Sequence, residues 1–580
     1  MTLAVGFGRT PLWDEDEPRF ASIARTMVET GDWILPMYNG AMSIDKPALM
    51  SWCMAIGYTL FGDREFSARV PAAVATLLTV LALLRAGTKW FDATTGTIAP
   101  LAFVGCLLVG IEAHAATPDA ILVALTTWST VLAVEPILAI SQRVDGRIDA
   151  PDGLAASLPT LSVRRAVIVG GLLGLGVLCK GPIGFVGPMA VVLSWVWLLA
   201  IRERRASMAT TRLAIGRLLE TAAAAAWDAL RSQRLGVVFM AMVAMAAPWY
   251  VAVGLRTGGA WPAGFFLVHN VGRFVAPMEK HSGGVLYHPL TMLVGFYPWS
   301  CFLPLAVVVG AWRVWRRAGS DSFTNAILLL LVWMSVWIGG FSAAATKLPN
   351  YVLPAYPAAA LLVAALAVDA SRRAEWPHPR WLASGLGWLA FGGLATAATV
   401  LVGSRFGLAG AAPATLVGLV PIAGAAATLW LARSHKPSAI AAFTITALLY
   451  TGLLVGPAAQ RISTANLLPG LVHEAHALAG GKARLAVVGI LTPNVVYYAG
   501  GVVREWNIDQ PTDVVAFLES GPDAMVLISE DAFAGLRASL PRHVAPLARA
   551  RPLFENQDML VVGTTTIAEQ RTAHEENTLR

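Results

Sequence analysis

Apolar runs long enough to cross a membrane recur through most of this chain, and they constrain its fold more than any other feature. Most of the runs hold about 18 to 22 residues, the length that an α-helix needs to span a bilayer. A hydrophobic fraction of 56% and a mean hydropathy of +0.61 are too high for a soluble domain. The sequence therefore predicts a polytopic α-helical membrane protein. Twelve candidate spans lie near residues 69–86, 96–112, 119–140, 166–179, 182–201, 235–255, 291–312, 325–343, 351–369, 382–402, 411–432 and 438–457.

The net charge of +7 arises from basic residues in alternate loops between these runs. The densest group lies between residues 202 and 234. By the positive-inside rule such loops are cytoplasmic, so the basic excess is a topology signal and the sequence predicts no nucleic-acid partner. The N-terminal segment and everything after residue 458 then lie on the extracytoplasmic face. The four cysteines form no CxxC pair and indicate neither a disulfide framework nor a zinc site.

Several cations on the extracytoplasmic face stand next to proline or glycine at the membrane edge. The segments IDKPA, LCKGP and TKLPNY contain Lys46, Lys180 and Lys347. One such lysine is explained by snorkelling of its ammonium group to the interface. Several of them converging on one face, together with Arg273, predict a site for a lipid phosphate.

The stretch LWDEDEPRFA, residues 12–21, places four acids ahead of the first span. The pattern after Pro18 predicts a short amphipathic helix in the membrane interface, and the apolar stretch 48–62 predicts a second one. The acids have two interpretations: they complement the dipole of the first helix, or they form a reaction centre. Asp119, at the outer start of an otherwise apolar span, is likewise either a helix cap or a functional acid.

In order and spacing, eight motifs between about residues 10 and 370 resemble those of the integral membrane glycosyltransferases of the GT-C class. The motifs are LWDEDEPRFASIARTMVETGDWILP, IDKPALMSW, ATPDA, CKGPIGFVGP, APWYVAV, FFLVHNVGRF, GFYPW and KLPNYVLP. The resemblance is to the family of aminoarabinose transferases that modify lipid A, itself related to the protein O-mannosyltransferases. It implies a multi-pass enzyme of the inner membrane and cell envelope, with about 12 or 13 transmembrane helices. Its donor would be a polyprenyl-phosphate sugar.

The resemblance also implies a role for each matching residue. Asp16 and Glu17 match the acidic pair of the first outer loop, at the reaction centre, and Asp119 matches the second acid of the family. Lys46 is similar to the lysine that meets the donor phosphate. The substrate-binding residues implied in total are Arg19, Asp45, Lys46, Lys180, Arg273, Lys347 and Tyr351.

This chain departs from the family at two positions that bear on a metal site. Asp45 stands where the aminoarabinose transferases have a glutamate, and His269 and Asn270 replace their Glu-His dipeptide. The sequence assigns no cofactor and leaves a divalent metal open, with Asp45 and His269 as the candidate ligands. The family also has a transmembrane helix before the acidic loop, where only 11 residues stand here. We therefore expect the native chain to begin further upstream.

The chemistry of a polyprenyl-phosphate sugar is consistent with these residues. Its leaving group is a phosphate, so departure needs cations rather than a general acid, and Lys46, Arg273 and Tyr351 are candidates. An acceptor hydroxyl must lose a proton as it attacks. Asp16 is the candidate base, and Asp119 would orient the acceptor or stabilise positive charge on the sugar. The acceptor would be a lipid, a glycan or a protein.

Two other functions stay open at this stage. A flippase-type transporter would place ionisable residues near the bilayer midplane on symmetry-related broken helices. Here the spans are nearly free of charge apart from Glu135. A ligase or polymerase of lipid-linked glycans would use the same kind of donor, and the sequence separates it poorly from a transferase of single sugars.

The chain divides by composition into four parts. Residues 1–68 form an extracytoplasmic acidic loop with interfacial helices, 69–457 the transmembrane domain, 458–566 a small extracytoplasmic α/β domain and 567–580 a disordered tail. In the α/β domain we predict strands at 484–490, 494–498, 523–529 and 558–563, with helices between them. This domain lacks a phosphate loop and an acid or histidine cluster, which indicates a structural or acceptor-guiding role.

Overall fold

The chain folds into a helical bundle with an N-terminal segment at one end and a small α/β domain packed against that segment. The computed structural model describes residues 6–12, 16–145, 159–207, 215–277, 281–316, 321–373, 378–405, 408, 411–434, 436–463, 466–489, 491–552 and 557–564. The predicted tail at 567–580 lies outside these residues. The predicted fold class is confirmed: a polytopic α-helical protein with a small C-terminal α/β domain.

The N-terminal segment contains both predicted interfacial helices. Helix α1 (Asp16–Thr30) buries the predicted apolar stripe of Phe20, Ile23, Ala24 and Met27. A short antiparallel hairpin follows, made of β1 (Met37–Tyr38) and β2 (Ala41–Met42). Helix α2 (Leu49–Phe61) has 13 residues, which is too short to cross a bilayer. The two helices pack on each other and on the first long helix of the bundle.

The bundle consists of helices that are long and apolar, joined by short helices and loops. Its elements are α3 (Glu65–Trp90), α4 (Ala93–Val104), α5 (Leu107–Ala113), α6 (Asp119–Asp145), α7 (Val163–Lys180), α8 (Ile183–Ser207), α9 (Ile215–Ser232), α10 (Leu235–Arg256), α11 (Ala260–Ala263), a π-helix (Gly264–Gly272), α12 (Arg273–Val275), α13 (Tyr287–Gly295), a 3₁₀ turn (Trp299–Cys301), α14 (Leu303–Arg316), α15 (Ser322–Ala343), a 3₁₀ turn (Pro349–Ala355), α16 (Tyr356–Arg372), α17 (Pro379–Arg405), a 3₁₀ turn (Ala412–Gly418), α18 (Leu419–Ser434), α19 (Lys436–Leu453), a π-helix (Leu454–Ala458) and α20 (Ala459–Ser463).

Within the described residues, nine helices are long and apolar enough to cross a membrane, or ten if one bent pair counts as a span. Twelve spans were predicted, and the difference lies in three segments. The segment 96–112 is split into α4 and α5, which bend by 70°. The segment 291–312 is split where Pro298, which lacks a backbone N–H, follows the end of α13. Helix α7 is continuous, but it carries Arg164, Arg165 and Lys180.

The bundle has an apolar interior and an apolar exterior. Trp195, Trp333 and Tyr356 are among its largest fully buried side chains. A second buried cluster joins α1 and α2 to the neighbouring ends of α3, α6, α7 and α10. Large apolar side chains on α3, α10 and α17 are exposed on the outside of the bundle, as expected for helices that face lipid.

The C-terminal domain begins with α21 (Leu468–Leu478) and contains a five-stranded mixed sheet. Its elements are β3 (Arg484–Val488), α22 (Pro493–Ala499), β4 (Arg504–Trp506), α23 (Pro511–Leu518), β5 (Ala524–Ser529), α24 (Glu530–Leu536), β6 (Val544–Ala550) and β7 (Met559–Thr564), with strand order β4-β3-β5-β7-β6. The predicted strand at 494–498 is wrong, because those residues form α22. Pro493 starts this helix, Gly500 ends it at φ 62°, and Val495, Val496 and Ala499 lie buried on one helical face.

The C-terminal domain packs directly on α1. Arg25 of α1 donates to the backbone carbonyl of Tyr497 at 2.6 Å, and its guanidinium lies 4.1 Å from the centre of the Tyr497 ring. The hydroxyl of Tyr498 accepts from the backbone N–H of Leu12 at 2.9 Å. Asn39, in the turn of the hairpin, exchanges two hydrogen bonds with the backbone of Val503. The domain therefore holds the segment that carries the predicted acids.

Candidate functional site

The candidate site lies where the N-terminal segment meets the ends of α6, α7 and α12 and the turn at 349–355. Asp45 and Lys46 come from the loop before α2, whose Pro47 and buried Ala48 fix the entry into that helix. Arg19 of α1 donates to Asp45 Oδ2 at 2.5 Å, and His269 Nε2 lies 3.3 Å from Asp45 Oδ1. Burial alone would raise the pKa of the Asp45 carboxyl, but Arg19 and then His269 hold it below its ordinary value.

Lys46 lies at the centre of this group of charges. Burial lowers the pKa of its ammonium below the ordinary value, and the positive charges of Lys180 and Arg273 lower it further, against the acids Asp16 and Asp45. Within the described chain, its ammonium makes neither a hydrogen bond nor an ion pair. A half-buried cation among other cations is costly unless an anion joins it, so this position favours a bound anionic group.

Lys180 ends α7 and holds the second predicted acid. Its ammonium lies 2.6 Å from Asp119 Oδ1, at the start of α6, and 5.3 Å from the centre of the Tyr351 ring. The amide of Asn350 donates to Asp119 Oδ2 at 3.2 Å. Asp119 is only 4% exposed, and each of its two carboxylate oxygens accepts from a protein donor. This geometry fits a carboxylate that orients Lys180 and Asn350.

Arg273 and Tyr351 come together as predicted from their motifs. Arg273 Nη1 donates to the Tyr351 hydroxyl at 3.4 Å, and the Arg273 backbone carbonyl accepts from Thr346. The segment that carries Arg273 is a π-helix followed by α12, so its side chains advance differently from those of a regular α-helix. As a result, His269 reaches Asp45 while Arg273 reaches Tyr351.

The two neighbouring acids Asp16 and Glu17 have different surroundings. Asp16 begins α1, is exposed and acts electrostatically on both Arg19 and Lys46. Glu17 is 2% exposed and forms a bidentate ion pair with Arg69 of α3, at 2.9 and 2.8 Å. It also accepts from the backbone N–H of Ala116 at 2.6 Å. We infer that Glu17, expected at the reaction centre, instead fastens α1 to α3.

Lys347 was predicted to bind substrate, and the structure places its ammonium at the end of α15. It donates to the carbonyls of Phe341 and Ser342, at 3.1 and 2.6 Å. These are among the last carbonyls of α15, which lack partners within the helix. Its contacts fit a helix-capping role better than a substrate contact. A role for Lys347 in binding stays a prediction without support from these contacts.

Sequence reasoning missed three residues around the site. Asn350 belongs to the KLPNY motif but carries no charge to draw attention to it. Arg69 stands near the start of the first span, where one arginine alone is easily read as an interfacial anchor. Glu112, 8% exposed, accepts from the Thr117 hydroxyl at 2.7 Å and acts electrostatically on Lys180. A buried carboxylate within a predicted span was the available signal.

The candidate metal ligands Asp45 and His269 are neighbours, but the described residues include no group of three histidine, cysteine or acidic side chains that could hold a metal. Arg19 occupies one oxygen of Asp45. Two ligand atoms next to a guanidinium do not fit a metal site.

Comparison with known proteins confirms the resemblance. The family described as dolichyl-phosphate-mannose-protein mannosyltransferase matches residues 45–140. The undecaprenyl phosphate-alpha-4-amino-4-deoxy-L-arabinose arabinosyl transferase of Aeromonas hydrophila is 31% identical over 360 residues, covering 62% of this chain and 56% of that protein. The enzyme of the same name from Yersinia pestis (strain Pestoides F) is 27% identical over the same shares. This chain spans a little over half the length of these curated relatives.

Solved structures share the fold over nearly the whole chain. The crystal structure of ArnT from Cupriavidus metallidurans in the apo state has a TM-score of 0.73 and 20% sequence identity, covering 98% of this chain and 96% of that one. The structure of the same protein bound to undecaprenyl phosphate has a TM-score of 0.72 over the same shares. The chain thus has the GT-C fold.

Proposed function

We propose that this protein transfers a sugar from a polyprenyl-phosphate donor to a lipid, glycan or protein acceptor. The observation that carries the proposal is the position of Lys46: a half-buried ammonium without an ion pair among the described residues, close to Lys180 and Arg273 and next to two acids. Cations suit the donor phosphate and an acid suits the acceptor. The names of the sequence relatives make undecaprenyl-phosphate-linked aminoarabinose the first donor to test.

In the proposed reaction an acceptor oxygen attacks the anomeric carbon of the sugar. A bond forms between that oxygen and carbon, while the bond from the carbon to the phosphate oxygen breaks. The leaving polyprenyl phosphate gains one negative charge, which Lys46 and Arg273 are placed to stabilise. The acceptor hydroxyl gives its proton to Asp16, whose carboxylate lacks a hydrogen-bond donor among the described residues. Asp119 is already held by Lys180 and Asn350, which makes it the poorer base.

An acceptor that is itself a phosphate would change the role of Asp16. Such an acceptor is ionised at neutral pH and needs no base, so Asp16 would matter less than Asp119 and Lys180. The acceptor class can therefore be read from the relative effects of substitutions at the two acids.

We further propose that the site faces the extracytoplasmic side. The support is the distribution of arginines, which concentrate in the loops at the opposite end of the bundle. The test is labelling of single introduced cysteines in intact cells with a maleimide that does not cross membranes. Ser539→Cys, exposed in the C-terminal domain, should react, and Glu220→Cys, exposed on α9, should react only after lysis. Reaction of Glu220→Cys in intact cells would reverse the orientation.

The function itself is tested by what accumulates on the carrier lipid when the gene is deleted. Polyprenyl-phosphate lipids extracted from the deletion strain should carry a single sugar, which the purified protein should transfer in detergent to an acceptor supplied as a membrane extract of that strain. Accumulation of a whole glycan would indicate a ligase or polymerase instead. An unchanged set of carrier lipids, with no transfer by the purified protein, would refute the proposal.

A further inference from the structure

A second charged group lies at the other end of the bundle, far from the candidate site. Its centre is Glu135 of α6, about 24 Å along the helix from Asp119. Its carboxylate is 6% exposed and contacts three cations: Arg85 at 2.9 Å, Arg165 at 3.2 Å and Lys89. The cations come from two other helices, α3 and α7. The sequence also set Glu135 apart as an acid in the interior of a nearly uncharged span.

The charges in this group do not balance. One cation would neutralise the carboxylate, yet three surround it, so the group has two more positive than negative charges. The cations are also reachable, with side chains exposed by 35% at Arg85, 48% at Lys89 and 36% at Arg165. The Nε of Arg85 is buried and has no hydrogen-bond partner within the described chain. A purely structural ion pair would not need the additional cations.

A cavity opens next to these cations. It has a volume of about 520 Å³ and is lined by Lys89, Glu135, Arg165, Gln142, Ser162 and Trp90, among others. The amide of Gln142 already donates to the backbone carbonyls of Lys89 and Trp90. The lining therefore offers ammonium, guanidinium and hydroxyl donors, which match the acceptor oxygens of a phosphate group.

Beside these cations α3 is apolar and exposed. Leu81 is 51% exposed and precedes Arg85 by four residues, so the two side chains lie on the same face of α3, one turn apart. Leu84, next to Arg85, is 43% exposed. A ligand whose head meets the cations thus has an apolar, exposed surface of α3 alongside.

From this juxtaposition we propose that the Glu135 group binds the phosphate headgroup of an anionic phospholipid, whose acyl chains lie along α3. An excess of two positive charges fits a headgroup with two phosphates, as in cardiolipin, better than one with a single phosphate. Under the proposed orientation this lipid belongs to the cytoplasmic leaflet. The site does not depend on the proposed transfer reaction.

The test uses the full chain purified in detergent and stripped of lipid. Tetraoleoyl cardiolipin, dioleoylphosphatidylglycerol and dioleoylphosphatidylcholine are titrated separately, with native mass spectrometry counting bound lipid and melting temperature reporting stabilisation. We expect cardiolipin to bind more tightly than phosphatidylglycerol, and phosphatidylcholine to bind weakest. The Arg165→Gln variant should bind cardiolipin about tenfold less tightly, the scale of one lost charge-assisted contact.

Arg165→Gln leaves Glu135 paired with Arg85 and Lys89, so it should fold. The matched control is Arg433→Gln, which removes an exposed cation at the end of α18 and should leave cardiolipin affinity unchanged. A third arm adds inorganic phosphate alone. Equal binding of the zwitterionic lipid, equal losses in both variants, or full stabilisation by inorganic phosphate without lipid would each overturn the proposal.

Discussion

Asp16 and Glu17 are adjacent in sequence, and the structure predicts opposite consequences for their loss. Glu17→Gln keeps the size of the side chain and an oxygen that can accept from Ala116, but it removes the charge that balances Arg69. Both members of this pair are 2% exposed. Removing one partner of a buried ion pair leaves the other charge uncompensated, which costs about 3–5 kcal/mol. We therefore expect Glu17→Gln to lower the melting temperature markedly.

Asp16→Asn should do the reverse. Asp16 is exposed and lacks a hydrogen bond or ion pair within the described chain, so its amide variant should melt like the parent protein. If Asp16 accepts the proton of an acceptor hydroxyl, transfer should fall by about 100-fold or more.

Both variants are compared in one detergent preparation, by thermal unfolding and by sugar transfer from a polyprenyl-phosphate donor at saturating concentration. A Glu17→Gln, Arg69→Met double variant provides the control, because removing both charges should cost less than the two single losses added together. The reasoning is refuted if Glu17→Gln is as stable as the parent, or if Asp16→Asn unfolds early while transferring at the normal rate per folded molecule.

Three further predictions concern the same site. Lys46→Gln should weaken binding of polyprenyl phosphate by about tenfold or more, because a charge-assisted contact to phosphate is lost. Binding isotherms of the purified variant measure this loss, and Arg433→Gln serves as the matched control. If the acceptor is a phosphate, Asp119→Asn should slow transfer more than Asp16→Asn does, and the opposite order would indicate a hydroxyl acceptor. The pKa of Asp45 is lower in the folded protein, so its pair with Arg19 stabilises the fold above the unfolded carboxyl pKa of about 4, and this stabilisation is lost as the pH falls below that value. The melting temperatures of the parent and of Asp45→Asn, measured as a function of pH, should therefore converge in acid. A difference that stays constant with pH would contradict this.

The helices of the bundle were predictable because a bilayer imposes a length and a composition on each of them. The prediction did less well where a break interrupts an apolar run. Nothing in the hydropathy of residues 291–312 distinguishes a straight helix from α13 and α14. Pro298 lies at the interruption, but Pro304 lies inside α14, so a proline alone does not mark the break. The stretch NVVYY failed for a related reason, because a short buried apolar run fits a strand and a helix equally well.

The members of the site were largely predictable from their motifs, but their pairings were not. Asp119 and Lys180 are 61 residues apart, and only the packing of α6 against α7 brings them together. The same holds for Glu17, whose partner Arg69 is 52 residues away. Adjacent residues at the start of a helix point in different directions, so which acid faces the site depends on how α1 is seated, and that depends on the whole fold.

The contact between α1 and the C-terminal domain has a consequence for how the protein is made. Arg25 and its partner Tyr497 are separated by 472 residues. At typical synthesis rates, about 25 to 95 s pass between the two. Of its two supports, the pair with Arg69 on α3 and the contact with the C-terminal domain, α1 has only the first until then. Asp16 begins that helix, so the candidate base gains its full set of supporting contacts only when the C-terminal domain is in place.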